Sequence, residues 1–329
     1  MINFDYSKPT TVGAAITALN KDTKAKFIAG GTNLVDLMKR GVTTPEKLID
    51  ITGLPLKGIE QSGSVIRIGA LALNSEVAEN ELVKKHLPLL SQALKAGASQ
   101  QIRNMATVGG NMLQRTRCGY FYDTALPCNK REPGSGCSAL QGYNRMHAIL
   151  GASDSCIAVH PSDMCVALAA LDATVVVQGA KGPRRIPFLD FHRLPGNTPQ
   201  IENNLQRGEL ITGVEVPVNA AFAQHSLYTK IRDRASYAFA LVSVAAALDL
   251  KGKTIQQARL AMGGVAHKPW RLTAAEAFLK GKAATVANFQ QAATLAVKDA
   301  KGYGYNNFKV KLAPNTIVET LQTLVKANG

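Results

Sequence analysis

The sequence predicts an α+β fold with a domain boundary near residues 218–225, on three observations. A strand, a glycine turn, a helix and a second strand follow one another over residues 26–51 and read as a parallel βαβ-like opening. Strand patterns typical of an antiparallel sheet occupy the middle of the chain. The last third joins two apolar, strand-like runs to amphipathic helical segments.

Taken in order, Lys26-Phe27-Ile28-Ala29 is a strand and Gly30-Gly31-Thr32-Asn33 a turn. The helix that begins at Leu34 ends near Gly41, and residues 47–51 form the strand after the crossover. Residues 65–69 alternate as a strand does. Over 84–98, Leu87, Leu90, Leu94 and Gly97 recur at helical spacing, which predicts one helix with Pro88 in its first turn. Residues 173–178 and 210–216 read as strands, the second ended by Pro217. Residues 237–250 are apolar and read as a buried strand, although the pattern alone also fits a helix; Tyr237 and Phe239 are expected in the core. Residues 259–263 look like its antiparallel neighbour. Helices are predicted over 273–280 and 314–326, the latter with Ile317, Leu321 and Leu324 on one face.

Composition narrows the partners. The 329 residues suffice for two or three small domains, and 46% apolar content fits a globular chain. No run approaches the roughly 18 apolar residues of a membrane span. The N-terminus lacks a basic flank before an apolar core, so it does not read as a cleavable signal peptide. The expected location is cytoplasmic, or periplasmic by co-export with a signal-bearing partner. The net charge of +15 is spread along the chain, without a basic block or nucleic-acid motif, and aromatics are only 6%. A basic surface matched to acidic partner subunits accounts for the charge; nucleic acid does not.

The strand–Gly-Gly-Thr-Asn–helix unit can cradle a phosphate, because glycines let backbone N–H groups close on an anion at a helix N-terminus. It matches neither the dinucleotide fingerprint nor the nucleoside-triphosphate loop. A second unit, Thr107-Val108-Gly109-Gly110-Asn111, offers the same chemistry. Either alone reads equally as an ordinary turn. Two together could clasp a diphosphate such as that of FAD.

Five cysteines all fall within positions 118–165. Cys118, Cys128, Cys137 and Cys156 are separated by 10, 9 and 19 positions, in a loop rich in Gly, Pro, Asn and Arg. The close CxxC pairs of zinc sites and compact ferredoxins are absent. Four thiolates converging from an irregular loop could still hold an iron–sulfur cluster that in turn orders the loop. Arg115, Arg117, Lys130 and Arg131 would favour thiolates there. Two disulfides, or free structural thiols, remain alternative readings. Cys165, in an apolar run, reads as a small buried hydrophobe rather than a ligand. His147 and His160 are available as ligands but read as ordinary hydrogen-bonding residues.

The ordered set KFIAGGTNLVDLMKR, QIRNMATVGGNMLQRTRC, HPSD at 160–163 and KIRDRASYAFALVSVAAAL from Lys230 resembles the FAD-binding middle subunit of molybdenum hydroxylases. The cysteine loop is similar to that of the bacterial periplasmic aldehyde oxidoreductases within the family, whose flavin subunit carries an extra [4Fe–4S] cluster. The resemblance implies a two-subdomain, PCMH-type FAD-binding domain over 1–217, with subdomains of about 1–55 and 56–217 and the iron–sulfur loop at 115–157. A C-terminal α+β domain of the CO dehydrogenase flavoprotein type follows over 224–329. It implies that Lys26, Phe27, Ile28, Ala29, Gly30, Gly31, Thr32, Asn33 and Leu34, with Thr107, Gly109, Gly110 and Asn111, bind the FAD diphosphate. Asp163 would bind FAD too, and Lys230 would lie near the flavin ring. Cys118, Cys128, Cys137 and Cys156 would ligate the [4Fe–4S] cluster. On their own chemistry, Asp163 reads equally as a helix N-cap and Lys230 as a solvated residue.

The function so implied is electron transfer in a molybdenum-dependent aldehyde oxidoreductase. Substrate is oxidised at a molybdenum cofactor on a large partner subunit. Electrons pass from [2Fe–2S] clusters on a small partner through FAD to an external acceptor, and no catalytic acid–base residue is needed in this chain. One rival is the flavin subunit of a related purine or aromatic-thioester enzyme. Another is a non-catalytic assembly protein with a structural metal, which would be colourless and hold zinc.

Overall fold

A computed structural model of the chain describes residues 1–326. Three sheets organise it. The first is parallel, in the order β1 (Asp5–Ser7), β3 (Lys47–Asp50), β2 (Ala25–Ile28). Helix Leu34–Lys39 makes the crossover from β2 to β3, as the sequence predicts. The three-residue β1 and helix Val12–Lys21, capped by Thr11, complete a small layer around Ala15, Ile16, Ile49 and Leu54.

The second sheet contains β4 (Ile59–Ser62), β5 (Val65–Gly69), β6 (Thr174–Gly179), β7 (Gly182–Pro187) and β8 (Leu210–Pro217). It is antiparallel in the order β4-β5-β8-β6-β7. Helices Pro88–Ala96 and Asp163–Ala170 pack in the same core. The single helix expected over 84–98 is two, Glu81–His86 and Pro88–Ala96, broken at Leu87 (φ −132°, ψ 49°). The cause is Pro88: its ring disfavours helical geometry at the preceding residue, and Pro88 starts the second helix at N1.

The third sheet is antiparallel, in the order β12 (Trp270–Arg271), β11 (Thr254–Gly263), β10 (Val242–Lys251), β9 (Ser226–Ile231). Both faces of β10 are buried. Val242, Val244, Ala246 and Leu248 face a core shared with helices Thr273–Leu279, Val286–Ala296 and Phe308–Lys326. Ala245 and Ala247 face the core of the preceding domain. That two-sided burial explains why the run reads as continuously apolar rather than alternating. Two boundaries differ from expectation. The strand starts at Val242, not at 237, because Tyr237 takes a left-handed φ of 51°. The last helix starts at Phe308 and carries Pro314 internally. Among the described residues, no helix is long and apolar enough to cross a membrane.

Candidate functional site

A cavity of about 1150 Å³ opens where the two N-terminal sheets and the segment before β10 meet. Every residue from Lys26 to Leu34 lines it, with Thr107, Gly109, Gly110, Asn111 and Asp163. The two glycine turns, 77 positions apart from Gly30 to Thr107, thus form one wall. The first turn packs against the segment that leads into the second: a Cβ built on Gly30 would lie 1.8 Å from Met105 O, so only glycine fits there. Gly31 has φ +70°, again a glycine conformation.

The amide side chains at the turns are held in place. Asn33 stands at the N-cap of helix Leu34–Lys39 but makes no side-chain capping bond; its Oδ1 accepts from Arg115 N at 2.8 Å. Thr107 Oγ1 accepts from Gly110 N at 3.3 Å as the N-cap of helix Val108–Met112. Asn111 Oδ1 accepts from Gln114 Nε2 at 2.8 Å and from Ser162 Oγ at 2.5 Å. The helices after the turns have six and five residues, so turn N–H groups rather than long helix dipoles supply the anion-binding character.

Asp163 is not an N-cap. Ser162 takes that place, its Oγ accepting from Cys165 N at 3.1 Å. Asp163 is the buried first residue of the helix; its Oδ1 accepts from Tyr228 OH at 2.7 Å and its Oδ2 from Lys230 Nζ at 2.8 Å. Burial, then the Asp163 charge, pushes the Tyr228 hydroxyl well above its ordinary value and keeps it a donor. Lys230, within β9, is neither solvated nor on the cavity wall; it also donates to Ala96 O at 3.1 Å.

Tyr237 and Phe239 are not core residues. They are 55% and 45% exposed and line the cavity. The Arg117 guanidinium stands 5.3 Å from the Phe239 ring centre, and Arg234 stands 5.4 Å from that of Tyr237. Arg103, Tyr122, Asp233 and Arg234 also reach the wall. Arg103, Asp233 and Arg234 lie within the segments that carry the family resemblance but were not singled out there, and Tyr122 lies in no such segment. Burial, then Arg115, lowers the Lys26 amine.

The four loop cysteines converge. Cys118, Cys128, Cys137 and Cys156 are all free thiols and line one small pocket with Lys130. Cys128 and Cys137 face each other across an isolated antiparallel bridge. Asn129 ties the loop, donating from Nδ2 to Ser155 O and accepting on Oδ1 from the Gly134 and Gly136 N–H groups. Arg131 donates to the carbonyls of Tyr120, Phe121 and Leu126. Such a donor set, four sulfurs without a disulfide, fits a soft-metal cluster.

The basic residues serve differently than expected. Arg115 and Lys130 bind Glu202 at 2.8 and 2.6 Å, and Arg117 donates to Tyr122 OH at 2.6 Å. Burial pushes Cys118 up to about 12, and Cys156 up to about 11 although Lys130 pulls it down. Burial therefore disfavours ionisation of these two thiols, and a metal held there would have to displace their protons. His147 Nε2 lies 3.1 Å from Cys118 Sγ, and burial lowers the ring to about 4. Cys165 is fully buried on helix Asp163–Ala170, as expected. Burial also holds His192 and His267 at about 4 and His160 well below its ordinary value.

Residues 2–219 match the family model described as the FAD binding domain in molybdopterin dehydrogenase, and 226–324 match the CO dehydrogenase flavoprotein C-terminal domain. The chain is 49% identical to the aldehyde oxidoreductase FAD-binding subunit PaoB of Escherichia coli (strain K12), over 97% of each. It is 31% identical to the glyceraldehyde dehydrogenase medium chain of Sulfolobus acidocaldarius, over 85% of this chain and 82% of that one. Among solved structures, carbon monoxide dehydrogenase from Hydrogenophaga pseudoflava superposes with a TM-score of 0.78 at 27% identity, covering 99% of each chain.

Proposed function

Because the chain belongs to the FAD-binding medium subunits of the molybdenum hydroxylases, we propose that it is the electron-transfer subunit of an aldehyde oxidoreductase and carries a [4Fe–4S] cluster besides FAD. One observation carries the reading: both glycine turns and Asp163 line a single cavity large enough for a dinucleotide. The 49% identity to an aldehyde oxidoreductase subunit supports the substrate class.

Turn N–H groups from Gly30 to Asn33 and from Gly109 to Asn111 would hold the diphosphate, with Lys26 and Arg117 offsetting its charge. The Asp163 carboxylate would accept from a sugar hydroxyl or a ring N–H. Tyr237 and Phe239, exposed at the cavity, would cover a planar ring and exclude water. Held there, the flavin supplies the electron-transfer chemistry between the [2Fe–2S] clusters of a small partner subunit and an external acceptor. Cys118, Cys128, Cys137 and Cys156 would ligate the cluster, and the loop tied by Asn129 and Arg131 would depend on it for order. Location follows the complex: periplasmic if a signal-bearing partner exports it, otherwise cytoplasmic.

The test is purification of the native complex with flavin, iron, sulfide and subunit analysis, then turnover with aldehydes and purines. One FAD and four irons per chain beyond the partner's clusters, with aldehyde turnover, is the expected result. A colourless chain holding zinc overturns the redox reading; purine turnover without aldehyde turnover overturns the substrate.

A further inference from the structure

Three histidines outside the flavin cavity and the cysteine pocket share an unmet need. His160, His192 and His267 line one small pocket. His160 Nε2, His192 Nδ1 and His267 Nε2 are sealed from solvent and have no hydrogen-bond partner among the described residues. A buried polar atom without a partner is destabilising, so three around one pocket point to a common ligand.

Two of the tautomers are set from behind. His192 Nε2 lies 2.8 Å from Met112 O and His267 Nδ1 lies 3.0 Å from Arg193 O. Carbonyls only accept, so those nitrogens carry the protons and the orphan nitrogens present bare lone pairs. An imidazole donating its rear N–H to a backbone carbonyl is how proteins orient metal-ligating histidines. The third ring is held the other way and weakly: Ser162 N donates to His160 Nδ1 at 3.4 Å, which leaves the ring proton on Nε2, so ligation through Nε2 requires that one long bond to break and the proton to leave Nε2. Cys165 completes the group: one ligand atom from each of His160, Cys165 and His192 lies within 4.8 Å of the others.

We propose that His160, His192 and Cys165 form a second metal site, for a soft d10 ion and in particular Cu(I), with His267 as a further donor from the same pocket. The donor set selects the class: imidazole and thiolate favour copper and zinc over hard cations. Charge selects within it. Glu202, the carboxylate on the pocket wall, is engaged by Lys130 at 2.6 Å and Arg115 at 2.8 Å. A single thiolate neutralises Cu(I) but leaves Zn(II) with a net charge, which is costly in a buried site. Binding forms a Cu–S bond, breaks the Cys165 S–H bond and releases one proton to solvent, with no change of oxidation state.

The test uses the purified complex with its flavin and iron in place, titrated with Cu(I) against a competing chelator and separately with Zn(II). Wild type is compared with Cys165→Ala and His192→Gln, with flavin and iron contents confirming that each variant is folded. Wild type should take up one more equivalent of Cu(I) than either variant, the variants binding at least about 100-fold more weakly. X-ray absorption should show nitrogen and sulfur donors at copper. Preferential retention of Zn(II) overturns the assignment to Cu(I). Equal uptake by wild type and Cys165→Ala, or no metal beyond iron, overturns the site and leaves a buried water as the partner of the three nitrogens.

Discussion

Lys230 Nζ stands 2.8 Å from Asp163 Oδ2, with only 4% and 8% of the two side chains exposed. The pair joins β9 of the third sheet to the helix that brings Asp163 to the cavity proposed to hold the flavin. Lys230 therefore acts on the cavity through Asp163, and Tyr228 does the same from the other carboxylate oxygen. Lys230→Met should destabilise the chain by about 3–5 kcal/mol, because it strands a buried carboxylate. Tyr228→Phe, losing one bond to a charged group, should cost about 1.5–3 kcal/mol. Calorimetry and flavin per chain measure both. A Lys230→Met protein with wild-type melting and full flavin would show that the pair positions nothing.

Gly30 is the most constrained position of the cradle. An added Cβ meets Met105 O and C at 1.8 and 2.7 Å, which are backbone atoms that cannot rotate away. Gly30→Ala should push the two turns apart, cost about 1–3 kcal/mol or more, and reduce flavin retention. Gly110 is more tolerant, since its Cβ would meet only Thr107 Oγ1 at 3.0 Å. Equal flavin retention in Gly30→Ala and Gly110→Ala would refute this ranking.

Cys128→Ser should lower iron per chain and loosen the loop, seen as faster proteolysis between 118 and 156. Cys165→Ser should leave iron unchanged, because Cys165 is absent from the four-cysteine pocket. Unchanged iron in Cys128→Ser would remove Cys128 from the ligand set.

Lys309 sets a pH dependence. It is fully buried without a carboxylate partner among the described residues, donates to His147 O at 3.1 Å and Gly264 O at 2.8 Å, and burial lowers it to about 7. The ordinary value is 10.5, so between about 7 and 10.5 the unfolded chain binds more protons than the folded one. Stability should therefore rise with pH through that window, by at most about 1.4 kcal/mol per unit from this group. Unfolding at pH 7 to 10 for wild type and Lys309→Met measures it. Identical slopes would mean that Lys309 stays charged when folded.

Much of this was readable before any coordinates, and for local reasons. The strand–turn–helix–strand opening depends on glycines and apolar spacing within 26 residues, from Lys26 to Ile51. The cysteine loop stood out because it lacks periodicity while concentrating thiols. The misreadings have local causes too. Over 84–98 the apolar spacing continues through Leu87, whereas the backbone stops there for Pro88. Pro314 looked like a helix start, yet the helix begins at Phe308 and tolerates it inside. Apolar content put Tyr237 and Phe239 in the core, but the left-handed turn at Tyr237 leaves both at the cavity.

By itself the sequence determined the α+β class, the two glycine turns and the set of four loop cysteines, because each is written in spacing along the chain. Only the tertiary structure decided which of these meet. Gly30 reaches Met105, Lys230 answers Asp163 rather than solvent, and Cys165 comes to lie beside His160 and His192. Those contacts span 75, 67 and up to 27 positions. They are set by how sheets and helices pack, which no local pattern of residues encodes.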